Sequence, residues 1–185
     1  FSRSGTFDGC IVVGAPVPHG PFVTTARDSP YAVQLGFFLG RMFAAPKGLV
    51  TRLDTEVKAA GPGQENMVLV GGPVANIITM DLNPHLAVNF DWKQVWHVES
   101  SRSHRTYADE DVGLVAKVQN PWNPTKVIVV LSGLHYRGTL SSILGLTQFA
   151  DEILEGYQGG SEFYRVVSGQ DRDGDGRIDA VSVLE

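Results

Sequence analysis

The strongest constraint on the fold is a unit that occurs three times along the chain. In each unit an apolar run ends in glycine and leads into a helical pattern. The three runs lie in the segments Cys10–Gly14, Met67–Gly72 and Lys126–Gly133. Runs of consecutive apolar residues are typical of strands buried on both faces, as parallel strands are beneath helices. The pattern therefore predicts an α/β fold built on a largely parallel sheet.

We expect the three following helices to cover residues 30–45, 73–82 and 139–155. The first has a marked start, because Ser29 can cap the helix and Pro30 suits its first turn. The third has apolar residues near a 3.6-residue period, which gives it one apolar face. These residues are Leu140, Ile143, Leu144, Ala150, Ile153 and Leu154.

Shorter strand candidates fill the gaps between the units, at residues 49–53, 86–90, 95–98 and 113–118. Two further candidates, 163–167 and 180–184, flank a C-terminal loop. We therefore expect residues 1–185 to form a single α/β domain: a largely parallel sheet with flanking helices plus an antiparallel C-terminal hairpin. The best place for a sub-domain boundary is near residues 58–66, at the loop Gly61–Glu65.

Composition is that of an ordinary globular domain and excludes several classes of partner. The chain has 185 residues, a net charge of −5 and no basic cluster, which argues against nucleic acid as a partner. No apolar stretch is long enough for a membrane span. The single cysteine, Cys10, is expected to be buried and cannot form an internal disulfide. The N-terminus has no signal-peptide character, so we expect a cytosolic chain, a processed one or a piece of a longer one.

The most specific chemical motif is the acidic loop, defined here as residues Asp171–Asp179. Three aspartates alternate along it, and a glycine follows that permits a sharp turn. This is the front half of an EF-hand-type calcium loop, with Arg177 offering its backbone carbonyl and Ile178 anchoring the loop to a core. Three such carboxylates would repel one another without a cation. The predicted calcium ligands are Asp171, Asp173, Asp175, Arg177 and Asp179.

The match to a full EF-hand breaks off after this front half. The twelfth position, where a bidentate glutamate belongs, is Ser182, and strands rather than helices flank the loop. The motif therefore indicates a calcium-stabilised hairpin and not a calcium sensor. The alternative is an acidic, glycine-rich turn that binds no metal. A second acidic run, Asp109–Asp111, is contiguous, and this pattern indicates a solvated turn.

Motifs for enzymatic chemistry are weak. Neither nucleotide-binding glycine motif is present, and Ser132 lacks the G-x-S-x-G elbow of a hydrolase nucleophile. An α/β enzyme would still place its site on loops after the strands, with His19, Ser132, His135, Tyr136 and Arg137 as candidates. Convergence of these loops on a cleft lined by His19 and His135 would favour an enzyme. A glycan-binding module would instead need exposed, coplanar rings from Trp92, Trp96 and Trp122.

Several segments, taken in order, resemble a domain of archaeal surface-layer (S-layer) proteins. They are Val68–Asn76 with its Gly-Gly-Pro turn, Asn120–Val130 with its Asn-Pro-Trp-Asn-Pro loop, the pairs Ser132–Gly133 and Gly138–Thr139, and the tail Gly169–Asp179. The segment that begins Cys10-Ile-Val-Val-Gly-Ala-Pro is also similar to the N-terminal βα unit of that family. The resemblance covers about residues 8–45 and 66–185. S-layer proteins are usually much longer than this chain.

This resemblance implies a non-catalytic building block of an archaeal cell surface. It implies an extracellular location, self-association into a homo-oligomer or surface lattice, and bound calcium (Ca²⁺). The expected function is thus a secreted, calcium-stabilised S-layer-type structural domain. The alternative is a hydrolase-like α/β enzyme with its active site on the loops after the parallel strands.

Overall fold

A computed structural model describes residues 1–93 and 95–185 of the chain. In these ranges the strands are β1 (Ser2–Arg3), β2 (Thr6–Phe7), β3 (Cys10–Val13), β4 (Thr51–Leu53), β5 (Met67–Val70), β6 (Val88–Asp91), β7 (His97–Ser100), β8 (Thr106–Tyr107), β9 (Val112–Gln119), β10 (Val127–Gly133), β11 (Phe163–Gln170) and β12 (Ala180–Val183). The helices are α1 (Ala32–Met42), α2 (Asp54–Ala60), α3 (Ile77–Leu82), α4 (Tyr136–Gln148) and α5 (Ala150–Ile153).

Seven strands form the main sheet, in the order β12-β11-β9-β10-β5-β3-β4. Pairing is parallel from β10 through β5 and β3 to β4, and antiparallel from β10 through β9 and β11 to β12. Strands β6, β7 and β8 form a second sheet, and β1 and β2 a small ribbon, both antiparallel. The prediction of a largely parallel α/β sheet is therefore wrong: the described chain is mostly β, on a mixed sheet.

The physical reason for this error lies in the connection between β9 and β10. The loop Asn120–Lys126 turns the chain back on itself, with Asn120 N donating to Lys126 O at 2.9 Å. The two strands thus form a hairpin. A strand that is buried on both faces is apolar at every position whichever way its neighbours run, so an apolar run does not report direction.

Two apolar cores lie on opposite faces of the main sheet, because alternate residues of each strand point to opposite sides. On one face, Ile11, Val68 and Leu131 pack with Leu35 of α1 and Ile143 of α4. On the other face, side chains such as Val12, Leu69 and Val130 pack with α2, α3 and the second sheet. Cys10 is buried in this second core, as expected.

Helix boundaries differ from the predicted ones at the start of the second helix. Helix α3 begins at Ile77 rather than near Pro73, because the side chain of Asn76 caps it and accepts hydrogen bonds from Ile78 N and Thr79 N. Helix α2 had no counterpart in the sequence analysis. It is short, and the Glu56 carboxylate supports its first turn by accepting a hydrogen bond from Leu53 N.

The start of α4 lies directly on β9 and β10. A Cβ atom on Gly113 would lie 2.2 Å from Gly138 O, and one on Gly133 would lie 2.2 Å from the carbonyl carbon of Gly138. Only glycine allows this approach of a helix to two strands. Gly113, Gly133 and Gly138 therefore allow α4 to pack closely on the two strands.

Candidate functional site

The acidic loop joins β11 to β12 and is held by the carboxylate of Asp171. Asp171 Oδ1 accepts hydrogen bonds from Gly174 N at 2.7 Å and Asp175 N at 3.1 Å, and its Oδ2 accepts one from Gly176 N at 2.8 Å. Gly174 and Gly176 have φ values of 78° and 87°, which favour glycine. The loop thus wraps around one carboxylate.

Three of the predicted ligands converge. Ligand atoms of Asp171, Asp173 and Asp179 all lie within 4.8 Å of one another. Asp175 is not part of this cluster, and its Oδ1 accepts a hydrogen bond from Arg177 N at 2.8 Å. At the twelfth position, Ser182 Oγ accepts a hydrogen bond from the Gln170 amide. The three carboxylates supply hard oxygen donors of the kind that Ca²⁺ prefers, and the remaining ligands of its shell of about six to eight would come from the backbone or from water.

Hydrogen bonding keeps the loop negatively charged. Backbone hydrogen bonds from Gly176, Gly174 and Asp175 lower the pKa of Asp171 below its ordinary value, although partial desolvation opposes them. Asp171 therefore stays ionised in neutral solution, next to two other carboxylates. A cation that binds between them would relieve their mutual repulsion.

The loop is anchored to the body of the protein at two points. Ile178 is buried, as the sequence predicts, and packs near Gly169 of β11. Arg137, in the first turn of α4, donates to Gly176 O at 3.3 Å and also pairs with Asp111. Arg137 was considered only as an enzymatic candidate, whereas the structure places it as a link between α4 and the loop.

A second polar centre, around Asp54, was missed by the sequence analysis. Asp54 is fully buried at the carboxyl end of β4. Its Oδ1 accepts hydrogen bonds from Ala15 N at 2.9 Å and Thr55 N at 2.8 Å. Its Oδ2 bonds to His19 Nε2 at 2.8 Å and Ile77 N at 2.9 Å. We call this arrangement the Asp54 clasp, because it joins the segments that follow β3, β4 and β5.

His19 belongs to this clasp. Burial would lower the pKa of His19, but hydrogen bonds to Val17 O and to the Asp54 carboxylate outweigh it, so the pKa lies above 6.5. One sequence signal was available for the clasp. An aspartate that directly follows a strand and starts a helix lies at the edge where parallel strands present polar side chains.

A small cleft of about 380 Å³ lies where the chain leaves β3, β5 and β10. Its described lining includes Asp28, Trp96, His135 and Tyr136. Asp28 accepts a hydrogen bond from Thr139 Oγ1 at 3.1 Å, and burial raises its pKa. His19 is engaged in the Asp54 clasp and is not part of the lining of this cleft.

The remaining candidates are also accounted for by local contacts. Ser132 is fully buried and donates to Gly71 O at 3.0 Å, so its hydroxyl joins β10 to β5. Trp92 and Trp96 are half-buried and their rings are tilted by 32°, with centroids 6.2 Å apart. Trp122 packs elsewhere, edge-on to His85. The three tryptophans do not form the coplanar surface that a glycan-binding module needs.

Comparison with known proteins places the chain in a family. No curated protein matches it. The family model described as "S-layer like family, outer domain" matches residues 41–150, more than half of the chain, and this confirms the resemblance stated above. Among the described residues, no helix combines the length and apolar character needed to cross a bilayer. The chain therefore belongs to the S-layer like family, outer domain, and this membership indicates a structural protein of the cell surface.

Proposed function

We propose that the chain is a non-catalytic structural domain of an archaeal S-layer-type surface protein. In this proposal it is secreted, associates with itself in a surface lattice and is stabilised by calcium in the acidic loop. The family match over residues 41–150 carries the structural part of the proposal. The acidic loop lies outside the matched residues, so the calcium part depends on the geometry of the loop.

A non-catalytic role is supported by the state of the polar side chains near the ends of the parallel strands. Asp54, His19 and Ser132 are engaged in hydrogen bonds that hold neighbouring segments together. Nucleophilic catalysis needs a nucleophile within hydrogen-bond reach of a base. Ser132 instead donates its hydrogen bond to a backbone carbonyl. These contacts give each of the three side chains a structural role, which supports the proposal.

Calcium binding is supported by the convergence of Asp171, Asp173 and Asp179. These three carboxylates would hold the ion, and Asp175 and the carbonyl of Arg177 remain predicted ligands. A partial site of this kind is expected to bind with a Kd of about 10⁻⁴–10⁻³ M, which suits an extracellular setting. Bound calcium would fix the turn between β11 and β12 and so stabilise the hairpin at the antiparallel edge of the main sheet.

The test is a pair of thermal melts, in 10 mM calcium and in excess chelator. Calcium at about 10–100 times its Kd adds about 1.4–2.7 kcal/mol to the free energy of unfolding. For a chain of this length the melting temperature should rise by about 3–10 °C. Asp173→Ala removes the ligand oxygens, so it should lose most of this rise and melt close to the wild type in chelator.

A matched control separates loss of a ligand from loss of a charge. Asp109→Ala makes the same change on the exposed second acidic run and should keep the full calcium response. Equal melting temperatures of the wild-type protein in calcium and chelator would refute the calcium site. A response that Asp173→Ala preserves would place the ion elsewhere. Light scattering on the same samples tests self-association, which a monomer at every concentration would contradict.

A further inference from the structure

The carboxyl ends of the parallel strands enclose the cleft of about 380 Å³, called here the strand-end cleft. Strand β3 lies between β4 and β5 in the main sheet, so the chain leaves β3 toward one side first and returns on its other side later. Such a reversal opens a crevice beyond the strand ends, and small molecules bind in crevices of this kind. The lining comes from residues within 24–28, 72–75 and 133–136, together with Trp96. Among the described residues, neither Asp54 nor the acidic loop belongs to it.

Close contacts of two glycines build the floor of this cleft. A Cβ atom on Gly72 would lie 2.3 Å from Gly133 O, so the turn after β5 packs directly on the end of β10. A Cβ atom on Gly71 would lie 2.9 Å from Asp28 Oδ2. Glycine at position 71 therefore leaves the room that the Asp28 carboxyl group occupies against the end of β5.

Asp28 is the buried acidic residue of the cleft. It is only 4% exposed, although it belongs to the lining. A carboxylate can accept about four hydrogen bonds, and Asp54 receives four contacts from the protein. Within the described chain, the Asp28 carboxyl group accepts one hydrogen bond from another residue, from Thr139 Oγ1 to Oδ2. Because buried polar groups are nearly always hydrogen-bonded, Oδ1 of Asp28 is suited to a donor group of a ligand.

The rim of the cleft favours the opposite charge. Arg27 is exposed, and it is the one lysine or arginine among the lining residues that the structure describes. The start of α4 also lies at the rim, with His135 and Tyr136 exposed. The side chain of His135 does not cap this helix, and the first turn has no acidic residue. The guanidinium group and the N-terminal end of the helix both attract a negative group.

Trp96 gives the cleft an apolar wall. Its ring centroid lies 5.8 Å from that of Phe22 and 6.2 Å from that of Trp92, so neighbouring rings hold it in place. Val74 and Leu134 also belong to the lining. The cleft volume is near the lower end of the range of about 300–1,000 Å³ for small-molecule sites. A matching ligand is therefore small, with an apolar part that packs against Trp96.

We propose that the strand-end cleft binds a small zwitterion, such as a free amino acid, which carries one ammonium and one carboxylate group. The ammonium group donates to Asp28 Oδ1 at the floor, and the carboxylate lies at the rim, near Arg27 and the first turn of α4. A simple acid would meet the negative charge of Asp28, and a simple amine would gain nothing from Arg27. The inference depends neither on calcium nor on self-association.

The experiment is an NMR titration of the isotope-labelled protein, in chelator, with three matched probes. L-leucine has both charged groups, 3-methylbutylamine lacks the carboxylate, and 4-methylpentanoate lacks the ammonium group. Leucine should shift amide signals of the cleft, and each of the other two probes should bind at least about tenfold more weakly. Asp28→Asn keeps the shape of the side chain and should raise the leucine Kd at least about tenfold. Asp109→Asn, the same change on the exposed second acidic run, should leave it unchanged.

A second variant tests the other end of the ligand. Arg27→Gln, at an exposed residue, should fold normally and raise the leucine Kd about three- to tenfold without weakening 3-methylbutylamine. Thermal melts in chelator check the folding of both variants, and if Asp28→Asn unfolds, Arg27→Gln decides.

Four outcomes would overturn the proposal. One is the absence of signal changes with leucine up to about 10 mM. Equal binding of leucine and 3-methylbutylamine would replace the zwitterion with a cation, and tighter binding of 4-methylpentanoate would replace it with an anion. Leucine binding that Asp28→Asn and Arg27→Gln both preserve would place the ligand outside the strand-end cleft.

Discussion

Asp54 and Asp171 each hold a segment of chain with one carboxylate, but in opposite surroundings. Asp54 is fully buried and accepts three backbone hydrogen bonds and one contact from His19. Asp171 accepts three backbone hydrogen bonds at the surface, with two further carboxylates nearby. A buried carboxylate whose hydrogen-bond partners all belong to the protein has a purely structural role. An exposed carboxylate beside others can still take a cation.

The largest expected effect is at the buried centre. Asp54→Ala removes one carboxylate and leaves buried N–H groups of three segments without their acceptor. We expect the free energy of unfolding to fall by about 3–5 kcal/mol, because each unpaired buried donor carries a desolvation penalty. Urea unfolding measures the change. Asp81→Ala, at a partly exposed residue of α3, is the control. An equal loss of stability there would show that the buried hydrogen bonds of Asp54 contribute no more than an ordinary surface aspartate.

The exposed centre should respond less, and in a calcium-dependent way. Asp171→Ala removes the acceptor of the acidic loop but leaves its N–H groups in contact with water. We expect only a small loss of stability in chelator, because water replaces the lost acceptor, and the loss of the whole calcium response in excess calcium. Thermal melts in both conditions measure the two effects. A large loss of stability in chelator would mean that Asp171, like Asp54, mainly holds the fold together and does not mainly bind a cation.

The smallest expected effect is a pH dependence of stability at the buried centre, caused by His19. The pKa of His19 is raised in the folded protein, so its contribution is fully present below pH 6.5 and is lost as the pH rises through the folded pKa. Stability should therefore decline slightly over that interval. In His19→Gln this decline should be absent. A wild-type stability that rises through the same interval would contradict the role assigned to His19.

The sequence was informative about the acidic loop and much less so about the Asp54 clasp. Residues of the loop are adjacent in the chain, so their spacing alone brings Asp171 and Asp173 together. The clasp joins Asp54 to His19, 35 residues away, and to Ile77. Contacts of this kind depend on how strands are ordered in the sheet, which no local spacing reports. Even in the loop, spacing did not foresee that Asp175 would bond to Arg177 N.

The amino-acid pattern by itself determined which segments are buried, where the acidic loop lies and to which family the chain is similar. Tertiary structure alone decided the direction of β9 against β10 and the meeting of Asp54 with His19. The physical reason is that burial and turn chemistry are local properties of a segment. Strand direction and the contacts of a side chain depend instead on which distant segments pack beside it.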